Sequence, residues 1–125
     1  DQILLKAAKE GNIEEVKEAL RYDADVNTLQ NGDCTPLMIA CASKHEDVIK
    51  FLLETEKCKV DTVDSKGRSA LLIASAAGLV DSVTLLLKHK ADAKSCDNNG
   101  HTALIAASCK NDFFFFFMIM LLACS

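Results

Sequence analysis

The sequence predicts an all-α solenoid, a stack of about four helix-turn-helix units joined by short β-hairpin loops, with the last unit atypical. Three observations lead there. First, the stretches CTPLMIACAS from Cys34, RSALLIASAA from Arg68 and HTALIAASCK from His101 are related, and Thr35, Ser69 and Thr102 within them stand 34 and then 33 positions apart; self-similarity at such a period marks a repeat architecture. Second, the first two of these openings are followed by apolar residues at i, i+3 and i+4, namely Ile49, Leu52 and Leu53, then Val83, Leu86 and Leu87, which is the stripe of an amphipathic helix. Third, the units are separated by VNTLQNGDC, VDTVDSKGR and AKSCDNNGH, whose Asn, Asp and Gly suit tight turns.

The elements follow in chain order. LLKAAKEGNIEE, with Val16, Ala19 and Leu20 behind it, gives the first unit the same two-helix pattern. Thr35, Ser69 and Thr102 are each placed to cap a first helix through the side-chain hydroxyl, and Pro36 sits at the first helical position, where no N–H is needed. Small pairs recur at one depth, Ala7-Ala8, Ala40-Cys41, Ala74-Ser75 and Ala107-Ser108, so neighbouring first helices can approach closely. Between the two helices of each unit stand Gly11, Lys44, Gly78 and Asn111, a position where the chain is expected to turn through a left-handed conformation. Lys44 is the strained member of that set.

Taken together, these features resemble ankyrin repeats. The likeness rests on TPL opening a helix, the Ala pairs, GN or GL between helices, LL near the end of the second helix, and ADVN or ADAK leading into a D-x-x-G hairpin, over residues 3 to about 112. The resemblance implies stacked helix pairs with projecting hairpins and an L-shaped cross-section, in repeats of about 1–27, 28–61, 62–94 and 95–125. This chain departs from the family in three ways. The histidine that usually follows TPL is replaced by Met38, Leu72 and Ile105; Asp33 stands where the hairpin glycine belongs, with Gly32 one place early; and ETEKCKVD carries an extra residue. The first hairpin and the loop around Cys58 are therefore expected to deviate most.

On this register Asn111 is the inter-helix turn, and FFFFFMIMLLACS becomes the last second helix, with Phe116, Ile119 and Met120 on the stripe of Val83, Leu86 and Leu87. Its outward positions Phe114, Phe117 and Leu121 replace Asp81, Thr84 and Lys88. Such an end helix asks to be covered by a further repeat, a partner or a membrane surface, and it gives the chain a route to self-association through Phe114, Phe117 and Leu121. The same run is also what an AT-rich intron read as coding sequence would give. The apolar run from Phe113 to Cys124 is 12 residues, and as a helix it reaches roughly 18 Å against a hydrocarbon core of roughly 30 Å, so no transmembrane span is expected.

Composition narrows function. Half of the residues are hydrophobic and 26 % charged, with a formal net charge of −4, which disfavours nucleic acid and anionic lipid as ligands. Six cysteines without a CxxC pair read as reduced packing thiols in an intracellular protein, cytoplasmic or nuclear. A start at Asp1 without methionine leads us to expect either trimming or a fragment of something larger. Cys96, His101 and Cys109 lack a fourth metal ligand, so no metal is expected. Glu10, Glu14, Glu15 and Glu18, interleaved with Lys6, Lys9 and Lys17, read as a solvated face of opposite-charge helix pairs rather than as acid/base catalysts. No phosphate loop, nucleophile elbow or HExxH is present, and neither catalytic residues nor a cofactor are expected.

The resemblance implies instead a protein–protein interaction module or scaffold, in which hairpin tips and the exposed side of the first helices hold a protein partner. On the matching positions these are Leu29, Asn31 and Cys34 with Ala42 and Ser43; Val63, Ser65, Lys66 and Arg68 with Ala76 and Ala77; and Cys96, Asn98, Asn99 and His101 with Lys110. Lys66, Arg68, His101 and Lys110 make a locally basic patch suited to a partner with an acidic surface. Leu29 and Val63 are equivalent apolar hairpin residues. The alternative is an internal structural segment of a longer array, whose apolar last helix is an inter-repeat or membrane-peripheral contact.

Overall fold

Short-range signals build each unit in the computed structural model, which describes residues 2–55, 57–109 and 120. Among the described residues the helices are α1 (Gln2–Glu10), α2 (Ile13–Arg21), α3 (Pro36–Ala42), α4 (Glu46–Glu54), α5 (Ala70–Ala77), α6 (Val80–Lys88) and α7 (Ala103–Cys109). The hydroxyls of Thr35, Ser69 and Thr102 accept the N–H groups of Met38, Leu72 and Ile105 at 3.3, 3.4 and 3.3 Å, so each first helix after α1 starts where its cap stands. The turn between helices is left-handed at Gly11 (φ 76°), Lys44 (φ 63°) and Gly78 (φ 77°), which reverses the chain and lays the second helix against the first.

The helices form two rows. The first helices α1, α3, α5 and α7 touch in sequence, and the second helices α2, α4 and α6 form a row behind them. Ala7-Ala8, Ala40-Cys41 and Ala74-Ser75 are fully buried, as close approach of the first row requires. Leu4, Leu37 and Leu71 form one buried column, and Val16, Ile49 and Val83 with Leu52 and Leu86 form another, so the i, i+3, i+4 stripes face the core. The stack is all-α; among the described residues extended pairing is confined to isolated antiparallel bridges at the hairpin loops, Gln30 with Cys34 and Cys96 with Thr102.

The middle unit deviates at its extra residue. Helices α2 and α6 unwind through left-handed Asp23 and Lys90, after which the N–H groups of Ala24 and Ala91 return to the carbonyls of Ala19 and Leu86 at 3.1 and 3.0 Å. Helix α4 ends instead at Thr55 in extended conformation, whose hydroxyl donates to the Leu52 carbonyl at 2.7 Å.

Two expectations meet a different structure. The Glu–Lys pairs of α1 and α2 do not close to ion-pair distance among the described residues; Lys17 lies 5.7 Å from the centre of the Phe51 ring instead. Exposed pairs of long side chains gain little once solvent screening and lost side-chain freedom are counted. Met120, expected on an inner stripe, is helical and 37 % exposed; its counterpart Leu87 is itself only half-buried. The expectations placed on Asn111, Phe114, Phe116, Phe117, Ile119 and Leu121 lie outside the described residues.

Candidate functional site

Three hairpin loops stand beside the first-helix row, and each is closed by the same backbone bond. The N–H of Gln30, Asp64 and Asp97 donates to the carbonyl of Cys34, Arg68 and His101 at 2.7, 3.0 and 3.0 Å. In the second and third loops an aspartate organises the turn. Asp64 Oδ1 accepts the N–H groups of Lys66 and Arg68 at 3.0 and 2.9 Å, and Asp97 Oδ1 accepts those of Asn99 and His101, both at 2.9 Å. The first loop has Gln30 in that place, and its Asn31 and Gly32 both adopt positive φ, 53° and 75°. Left-handed Asn31 and Gly32 at the centre of the Gln30–Asp33 turn give it the mirror-image form, so the early glycine changes the turn type within a loop of the same length, in the hairpin that the displaced Gly32 marked to deviate.

Adjacent hairpins are tied to one another. Ser65 N–H donates to Asp33 Oδ1 at 2.6 Å, Asn98 N–H to the Lys66 carbonyl at 3.0 Å, and Asn98 Nδ2 to the Ser65 carbonyl at 3.1 Å. A Cβ built on Gly67 would collide with the Asn98 side chain, so that glycine is required by the close approach as well as by its φ of 77°. Further back, Asn27 Oδ1 accepts the Lys59 N–H and its Nδ2 donates to the Lys57 carbonyl, both at 2.8 Å, and Asp61 Oδ1 accepts the Asp92 N–H at 3.0 Å.

The predicted residues occupy this edge unevenly. Leu29, Asn31, Val63, Ser65, Lys66, Asn98, Asn99 and His101 are exposed, as are Ala42, Ala76 and Cys96; Cys34, Ser43, Arg68 and Ala77 are half-buried. Lys110 lies outside the described residues. Sequence reasoning missed Asp64 and Asp97, which temper the basic patch. Arg68 Nη2 and Nε reach Asp64 Oδ2 at 2.8 and 2.9 Å. Burial of Asp64 opposes its ionisation, yet the Arg68 and Lys66 N–H groups and the Arg68 guanidinium outweigh it and hold its pKa below the ordinary value. The N–H of His101 is the largest cause holding Asp97 low as well, and His101 Nδ1 lies 3.6 Å from Asp97 Oδ2. The D-x-x-G spacing was the signal for both.

Between α5 and α7 the surface sinks into a groove of about 440 Å³, walled by Arg68 and His101 and floored by Leu72, Ile73, Ala76 and Ile105 among others. Burial raises the Cys41 and Cys58 thiols to about 12 and about 11, which leaves them as unreactive packing groups. Asp33, Cys34 and Asp64 bring ligand atoms within 4.8 Å of one another, but Asp33 is taken by Ser65 and Asp64 by Lys66 and Arg68. Burial, then the carboxylates of Asp33 and Asp64, raise the Cys34 thiol. That keeps it protonated and a poor ligand.

A family model described as ankyrin repeats (three copies) matches residues 1–64 and 55–122. The mouse protein named ankyrin repeat and SAM domain-containing protein 6 is 36 % identical over 108 residues, 85 % of this chain and 12 % of that protein. A rice protein named as a probable E3 ubiquitin-protein ligase, XBOS33, is 32 % identical over 107 residues, 85 % of this chain and 20 % of its own. The human ankyrin repeat domain-containing protein 7 is 42 % identical over 57 residues, 45 % of this chain and 22 % of that protein. The chain thus spans under a quarter of the length of each of these relatives.

Proposed function

The chain belongs to the ankyrin-repeat family, and from that premise we propose that it presents its hairpin tips and inner-helix residues to a protein partner, without chemistry of its own. Repeats of this family are generally protein–protein interaction modules. The observation that carries the finer reading is the ladder of bonds from Asp33 to Ser65 and from Lys66 to Asn98. It holds exposed Leu29, Asn31, Val63, Ser65, Lys66, Asn98, Asn99 and His101 in one frame, so little ordering entropy is lost on association. Cys34, Ser43 and Arg68 complete the contact edge from half-buried positions, and Lys110 is included from its register in the sequence. The free thiols of Cys34, Cys41, Cys58 and Cys96 suit an intracellular setting. Among the described residues no helix is long and apolar enough to cross a membrane.

Affinity capture with the intact chain tests the reading. Leu29→Ser combined with Val63→Ser removes exposed apolar contacts without touching the core, and should abolish capture of the partner while thermal melting stays unchanged. Capture that survives both changes places the contact elsewhere. A second reading, a structural segment within a longer array, draws support from the small share of each relative that the chain spans. The ligase activity in the rice protein's name is that protein's; here it remains one of the settings in which such a segment could serve.

A further inference from the structure

We propose that the groove between α5 and α7 takes an apolar side chain of a partner peptide with a carboxylate beside it. The proposal rests on the interaction reading above and names the chemistry of its partner.

The floor is particular to this chain. Where the family places a histidine after TPL, this sequence has Leu72 and Ile105, and both line the groove together with Ile73 and Ala76. Ile105 is 44 % exposed, whereas Met38 and Leu72, at the equivalent positions, are 1 % and 6 % exposed. The groove therefore offers apolar surface still in contact with water, and covering it with an aliphatic or aromatic side chain gains about 25 cal/mol for each Å² buried. A volume of about 440 Å³ has room for one such side chain and its neighbours in a peptide.

The rim sets the charge. Arg68 spends Nε and Nη2 on Asp64 Oδ2, which fixes the plane of the guanidinium and leaves Nη1 and the second Nη2 hydrogen for a ligand. Its side chain is 42 % exposed. His101 Nδ1 faces Asp97 Oδ2 at 3.6 Å, and Nε2 is the nitrogen left for a partner. The free guanidinium hydrogens of Arg68, held over an apolar floor, recognise a carboxylate attached to, or next to, an apolar residue, and His101 Nε2 joins them as a donor only when the imidazole is protonated. The carboxylates of Asp64 and Asp97 offset the charge of Arg68, so recognition depends on the directed hydrogen bonds of its guanidinium rather than on net charge.

Ala76 provides a clean test, because its side chain is small, exposed and outside the Arg68–Asp64 pair. Random peptides displayed on phage are selected on the intact chain, and the affinities of the recovered peptides are measured for the unaltered protein and for Ala76→Glu and Ala76→Lys. The two substitutions add similar bulk and opposite charge. Peptides pairing Asp or Glu with Leu, Ile, Met or Phe should dominate, losing affinity about tenfold or more on Ala76→Glu and gaining on Ala76→Lys. Equal losses on both variants overturn the carboxylate half of the proposal. Peptides that bind unaltered by either change, yet are lost on Leu29→Ser with Val63→Ser, overturn the groove and leave the interaction module standing. Recovery of no binder counts against both.

Discussion

At Lys44 the chain turns through φ 63° with a side chain attached, where Gly11 and Gly78 make the same turn without one. A left-handed conformation costs a non-glycine residue about 1–2 kcal/mol. Lys44→Gly is accordingly expected to raise stability by up to about 1 kcal/mol, since the unfolded chain also gains freedom; a lower melting temperature would show that strain is not what that turn stores. The reverse exchange behaves differently. Gly11→Ala combines φ 76° with a Cβ only 2.5 Å from His45 Nδ1, and His45 Nε2 sits 3.0 Å from the Lys9 carbonyl. It should lower stability by about 1–3 kcal/mol, measured by urea unfolding. Asp64 gives a pH-dependent case. Its folded pKa lies below its ordinary value of 3.8, so its contribution is complete above that value and is lost as pH falls through the lower, folded one. Asp64→Asn should cost about 2 kcal/mol at neutral pH, the range for hydrogen bonds to a charged group. The deficit relative to the unaltered protein should shrink as both are titrated to acid.

Each helix is as stable as the neighbour it leans on. Ile49 and Val83 are fully buried in the second-helix row, and an unpaired carboxylate there costs several kcal/mol against a total of about 5–15. Ile49→Asp or Val83→Asp should abolish the cooperative thermal transition seen by circular dichroism; an unchanged melt would show that the stripes do not face the core. The stripes, the caps at Thr35, Ser69 and Thr102, and the left-handed turns could all be read from the sequence, because each is decided by residues a few positions apart. The distorted end of α4 was announced by an extra residue in ETEKCKVD. Other elements were hidden for the opposite reason. His45 reaches Lys9 across 36 positions and Asn27 reaches Lys57 across 30, and no local pattern encodes such partners. The candidate site shows the same division: its exposed residues followed from register, whereas the pairing of Arg68 with Asp64 depends on how one side chain folds back over its own turn.

Over the whole molecule the charges are unevenly placed, with a net −4 but Lys66, Arg68 and His101 together on the hairpin edge. Association with an acidic partner should slow as ionic strength rises, since the screening length falls to about 8 Å at physiological salt. Stopped-flow association rates across a salt series measure this. Rates independent of salt would assign the contact to Leu29 and Val63. The hairpin edge also has a metric. Because Asn98 bonds the Lys66 carbonyl through its backbone N–H, the interval from tip to tip is set by main chain and by helices packed roughly 9 Å apart. A peptide in the polyproline II conformation advances roughly 3.1 Å per residue with three residues per turn. Such a segment laid along the tips would meet a new hairpin at every third residue with the same face turned inward, so the protein would measure its partner as a ruler does, reading one side chain in three and ignoring those between. An alanine scan of a bound segment should show that beat of three, whatever the side chains that mark it.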